Sequence, residues 1–152
     1  MGKQRQLPSL ILVSLQFGLL FLLAALAAKS VLAWAIPVAA WLATALSLVL
    51  AVWALSANRL GNFNIRPVPK EGGKLVTTGP YRWIRHPMYT SLLLGAWALA
   101  RTAGSDEAWL AWYVLTLVLW IKSQFEERWM LEQHADYAAY RAKTRRFIPW
   151  LY

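Results

Sequence analysis

A chain of 152 residues, 59% apolar and only 15% charged, is long enough for one compact unit and unlike a soluble domain, where about a quarter of residues are charged. Sixteen Lys and Arg against seven Asp and Glu give +9, but these residues flank apolar stretches and form no continuous basic arm. That excludes a nucleic-acid surface and points to orientation in a bilayer with anionic headgroups. With no cysteine, disulfides, zinc–thiolate sites and a thiol nucleophile are excluded, and no metal ligands are assigned.

Crossing a bilayer core about 30 Å thick takes about 20 apolar residues in a helix. Residues 7–28 carry no charge, are interrupted by Ser9, Ser14 and Gln16, and are closed by Lys29. Lys3, Arg5 and Ala25-Leu26-Ala27 also resemble a secretory leader, but the apolar run exceeds the roughly 7–15 residues of a leader's core. It is read as a first span. Residues 31–55 form a second uncharged segment, in which Pro37 marks a kink or the first turn.

A central loop, residues 58–86, follows. It holds Pro67, Pro69, Gly72, Gly73, Gly79 and Pro80 and is expected to fold as turns and short extended pieces. Long loops in small domains are usually functional. A third apolar segment, 88–100, is short and opens on Pro87, a residue suited to a helix start. In it, Gly95 suggests close helix packing. The fourth, 108–121, lies between Glu107 and Lys122 and can extend to about residue 125. An amphipathic segment then leads to Arg145-Arg146-Phe147-Ile148-Pro149, with His134 expected to be solvated.

With four spans, fourteen Lys and Arg fall on one side and two on the other, which places both termini and the central loop in the cytoplasm. Trp34, Trp41, Trp109, Trp112, Trp129 and Trp150 lie near segment ends, as interfacial belt residues do. The expected fold is a single all-α, polytopic membrane unit over residues 1–152. It has about four transmembrane helices, a cytoplasmic C-terminal helix and a structured central loop. The compact chain and short tails favour a bacterial inner membrane over the endoplasmic reticulum.

This topology sets Arg85 and His86, before the third span, level with Glu126 and Glu127, after the fourth. Two carboxylates at the end of an apolar helix are costly unless water, cations or a cationic ligand meets them, and the helix dipole adds to that cost. They can form an interfacial clamp with Arg85, Arg128 or Arg145, or receive a ligand.

Arg85-His86-Pro87-x-Tyr89 after Gly79-x-Tyr81 resembles the signature of the isoprenylcysteine carboxyl methyltransferase and phospholipid methyltransferase group. So do Glu126-Glu127, Tyr137-x-x-Tyr140 and Arg146-Phe147-Ile148-Pro149, which together cover residues 79–152. The resemblance implies an integral-membrane methyltransferase that uses S-adenosylmethionine at the cytosolic membrane face, on a small hydrophobic or lipid-linked acceptor entering from the bilayer. No G-x-G-x-x-G fingerprint of a soluble dinucleotide-type site is present. Carried over by position, Arg85, His86 and the backbone at Pro87 would hold the cofactor carboxylate. Tyr81 and Tyr89 would line the pocket, Glu127 with Glu126 would meet the ammonium or ribose, and Arg146 and Phe147 would close it. His86 and Glu127 are the catalytic candidates, and Glu127→Gln is expected to abolish cofactor binding with the fold intact. Where family members place glycine, this chain has Ser91 and Ala98, and His134 stands where an aromatic is usual. The short chain leaves room for an acceptor pocket shared in a homo-oligomer.

Two other readings fit part of the pattern. The tail Arg146-Phe147-Ile148-Pro149-Trp150-Leu151-Tyr152 also resembles the ending of NADPH-dependent membrane sterol reductases, although those generally have many more spans. A non-catalytic membrane subunit on the same scaffold is the third class.

Overall fold

A computed structural model describes residues 2–58 and 75–151. The central-loop expectations at Pro67, Pro69, Gly72 and Gly73 lie outside the described residues, as do the loop cations Arg59, Arg66, Lys70 and Lys74. Among the described residues five α-helices follow one another: α1 Gly2–Leu32, α2 Val38–Asn58, α3 Pro87–Ala103, α4 Asp106–Gln133 and the short α5 Tyr137–Lys143. A 3-10 turn, Gly79–Arg82, precedes α3. Among the described residues there is no strand, only one isolated bridge between Ile84 and Arg145.

The helix ends follow local chemistry. Lys29 does not stop α1 as expected; the helix continues to Leu32 with Lys29 in its last turn, where a cation favours the dipole. Trp34 then takes the left-handed conformation. The Pro37 carbonyl accepts from Ala40 and Trp41, so proline precedes α2 and does not kink it. Gly104, at φ +67°, ends α3, and Ser105 caps α4 by accepting from the Ala108 N–H.

The packing inverts that of a soluble bundle. Leu23 of α1, Ala96 and Ala100 of α3, and Ala108, Ala111, Leu115 and Leu119 of α4 form the main core. On the other side of α3, Ala98 meets Ala40 and Ala43 of α2. A Cβ on Gly95 would lie 3.1 Å from Ser47 Oγ, and that hydroxyl donates to the Ser91 carbonyl at 2.7 Å. Small residues thus let α2 and α3 approach closely, as Gly95 suggested. Large apolar side chains face outward instead: Leu15, Phe17 and Phe21 on α1, and Leu42, Leu46 and Val49 on α2. Helices that are apolar all round need an apolar medium.

Three segments, Gln6–Leu32, Val38–Asn58 and Asp106–Gln133, are long and apolar enough to cross a membrane. At 17 residues α3 is about 25 Å long, short of the hydrocarbon thickness, and it packs against α1, α2 and α4. The fourth apolar segment also ends later than expected. Helix α4 runs through Glu126 and Glu127 to Gln133, so the two carboxylates lie inside a helix rather than at its end. The helix dipole acts mainly over the last turn, and it therefore does not act against Glu127.

Candidate functional site

The site forms at the end of the bundle where α2 finishes and α3 begins. Gly79 opens it with φ +59°, and a Cβ there would fall 2.7 Å from the Ala57 Cβ of α2. Only glycine satisfies both the left-handed backbone and that approach. Trp83, just beyond the turn, meets Trp53 of α2 edge-on at 5.6 Å. Pro87 then starts α3, where its missing N–H costs nothing.

The C-terminal segment lies alongside this entry. The Arg145 N–H donates to the Trp83 carbonyl, the Arg85 N–H to the Arg145 carbonyl at 2.8 Å, and the His86 N–H to the Arg146 carbonyl at 3.1 Å. Thr90 Oγ1 donates to the Phe147 carbonyl, and the Tyr140 hydroxyl to the Tyr81 carbonyl at 2.7 Å. Tyr81, Arg85 and His86 of the motif are thereby each paired with a residue near the end of the chain.

At the centre is Glu127, 2% exposed. Its Oε1 accepts from Arg85 Nε at 2.8 Å and Arg146 Nε at 3.2 Å, and lies 3.2 Å from His86 Nε2. Its Oε2 accepts from Arg146 Nη2 at 3.2 Å and faces Arg141 Nε at 3.4 Å. Three guanidinium groups and an imidazole surround one buried carboxylate, a density of charge-assisted bonds that offsets its desolvation. Arg85 also donates through Nη1 to the Thr144 carbonyl, and Arg146 through Nη2 to Gln124 Oε1.

Glu126 is in a different setting. Its side chain is 31% exposed, and among the described residues it meets only Tyr89 and His86, both through Oε2. The Tyr89 hydroxyl donates at 2.8 Å, and His86 Nδ1 lies 3.5 Å away. His86 therefore bridges the two glutamates, one ring nitrogen to each. Its ring stacks parallel on Tyr89 at 5.2 Å and is flanked by Phe147 at 5.8 Å. Burial, helped by the negative charge of Glu126, pushes the Tyr81 phenol up to about 12. Burial raises Tyr137 and Tyr140 as well, so all three remain neutral.

Arg85, His86, Tyr89, Glu126, Glu127, Arg146 and Phe147, far apart in sequence, thus form one cluster, with Pro87 and Tyr81 at its edge. Arg128 and Arg145, considered as clamp partners, are exposed, and Arg141 and Arg146 join Arg85 on Glu127 instead. Sequence reasoning missed Arg141, Thr144 and Gln124. It also missed Lys122, 1% exposed, whose Nζ donates to Gln16 Oε1 at 2.7 Å and lies 5.1 Å from the Tyr89 ring centroid. A lone lysine in an apolar helix was the available signal. His134 sits at the C-cap of α4 and is half-buried. An open apolar groove of about 490 Å³ runs along α2, lined by Leu48, Val49, Val52, Trp53 and Ser56.

Residues 34–137 match the model of the phospholipid methyltransferase family. The chain belongs to that family. No curated protein and no solved structure matches it. The phospholipid methyltransferases are integral-membrane methyltransferases and include isoprenylcysteine carboxyl methyltransferase-like proteins, so the resemblance carried by the Arg85-His86-Pro87 and Glu126-Glu127 motifs is borne out. The phospholipid methyltransferase match begins after α1 and ends at Tyr137. Gln16 before it, and Arg141, Thr144, Arg146 and Phe147 after it, are joined to the matched region by the contacts above.

Proposed function

We propose that this protein is an S-adenosylmethionine-dependent methyltransferase that acts at the cytoplasmic membrane face on a small hydrophobic or lipid-linked acceptor. The observation that carries the reading is the Glu126–His86–Glu127 bridge with its arginines, at one end of an apolar bundle that belongs to a methyltransferase family. Counting α3 as a span gives four, and the positive-inside rule then favours the cytoplasmic side for that end, with fourteen of the sixteen Lys and Arg.

The donor set fits the cofactor. When bound, S-adenosylmethionine supplies an electrophilic methyl group on a sulfonium, along with an ammonium and a carboxylate. Glu126 is the better seat for the ammonium, because it is partly exposed and its Oε1 is not engaged by any described residue. Glu127, saturated by protein donors, orients Arg85, His86 and Arg146, and the arginines face the carboxylate. Tyr81 and Tyr89 form walls of the pocket, and the Tyr89 hydroxyl holds Glu126. Both nitrogens of His86 face carboxylates, so its hydrogen-bonding capacity is used in holding the pair. That supports catalysis by proximity and exclusion of water on an acceptor that is already nucleophilic. The acceptor's hydrocarbon tail fits the groove on α2, whose Trp53 touches Trp83 at the site's entry.

Calorimetry on the protein in nanodiscs tests the reading directly. Saturable binding of S-adenosylmethionine and S-adenosylhomocysteine is expected, with transfer of labelled methyl from the former into a lipid fraction. NADPH affinity without affinity for either sulfur nucleoside would overturn it in favour of a reductase.

A further inference from the structure

Helix α1 lies wholly outside the family match, yet it contributes a buried polar side chain toward the site. Gln16 and Lys122 are 106 residues apart in sequence and both buried, and they meet at 2.7 Å. Glu126 follows Lys122 by one helical turn, about 6 Å further along α4. An ammonium carries three N–H donors; this one donates to the Gln16 amide oxygen and lies over the Tyr89 ring face, with the charge of Glu126 close enough to act on it. A charge placed this deep in an apolar bundle is costly, and a single amide acceptor does not account for it.

The contacts continue from there. The Tyr89 ring meets both the Lys122 ammonium and the His86 imidazole, and its hydroxyl donates to Glu126. A cation over the ring face withdraws electron density from the phenol, holds the ring and strengthens the O–H as a donor. We propose that Gln16 and Lys122 are positioning residues: α1 holds the lysine against Tyr89, and the Lys122–Tyr89 pair fixes the Glu126 carboxylate that receives the ammonium of the methyl donor. This rests on the methyl-donor reading above and adds to it a part for α1, acting through Tyr89 on one functional group of the ligand.

The test compares S-adenosylhomocysteine with its analogue lacking the α-amino group, by calorimetry in nanodiscs. The variant is the double substitution Gln16→Leu with Lys122→Met, because replacing both buried partners by apolar groups of similar shape is tolerated far better than removing one. Lys122→Met alone serves as a second variant, and a thermal melt confirms folding of each. Wild type is expected to bind the amino compound about tenfold or more tightly than the analogue, the size of one charge-assisted contact. In both variants that preference should shrink severalfold while affinity for the analogue is unchanged. Equal weakening of both ligands would mark a merely structural pair and overturn the proposal, as would an unchanged preference. A wild type that binds neither ligand sinks the methyl-donor reading itself, and the two failures are thus distinguished.

Discussion

Arg85 Nε lies 2.8 Å from Glu127 Oε1, and the two side chains are only 8% and 3% exposed. This contact joins the start of α3 to the last third of α4 across 42 residues. Arg146 and Arg141 reach the same carboxylate from the C-terminal segment. Glu127 is therefore a structural tie as well as a member of the proposed site, which changes what its substitution should do.

Glu127→Gln leaves buried guanidinium groups without their counter-charge, a loss of roughly 3–5 kcal/mol in such settings. Contrary to the expectation from sequence alone, Tm in detergent should fall along with donor affinity. Trypsin should also cut faster after Arg141, Lys143 and Arg145, as the segment carrying Thr144 and Arg146 loosens. A melt and digestion pattern like those of wild type would show that the tie carries no stability.

Glu126→Gln is the contrasting variant. The amide oxygen still accepts from the Tyr89 hydroxyl, and the side chain is partly exposed, so Tm should change little. Affinity for S-adenosylhomocysteine should drop about tenfold, the loss of one charge-assisted contact. Calorimetry decides it, and full affinity would remove Glu126 from the site.

Two glycines with the same backbone sign should respond differently to alanine. Gly79→Ala meets both the left-handed cost, about 1–2 kcal/mol, and a Cβ 2.7 Å from Ala57, with overpacking adding about 1–3 kcal/mol. Gly104 also has positive φ but open space around a Cβ, so only the backbone cost applies. Comparing the two melts checks this, and a larger loss at Gly104 contradicts the packing argument.

The Tyr81 phenol, raised from 10.0 to about 12, gives a pH prediction. Below pH 10 the phenol is neutral in both folded and unfolded chains, and its contribution to stability is fully present. Above it the unfolded chain releases the proton first, so stability is lost as pH rises toward about 12. Tyr81→Phe should flatten part of the fall in Tm over that window. An identical alkaline slope would show that Tyr81 does not titrate differently on folding.

Much of the architecture was legible because hydropathy and helix period are local properties. Uncharged runs, Pro87 at a helix start and Gly95 at a close approach each follow from neighbours in the chain. The Arg85-His86 and Glu126-Glu127 pairs could be set at one depth from topology alone, since α3 leaves the end of the bundle to which α4 returns. Tertiary structure decided the partners. Whether Glu127 takes Arg141 and Arg146 or Arg128 and Arg145 depends on how α4 is rotated and on the Ile84–Arg145 bridge that lays the tail beside α3. Gln16 was one polar residue in an apolar run until α1 and α4 packed antiparallel and brought Lys122 to it. Which side chains must meet to satisfy buried charge is set by helix rotation and register, and neither is written in any local stretch of sequence.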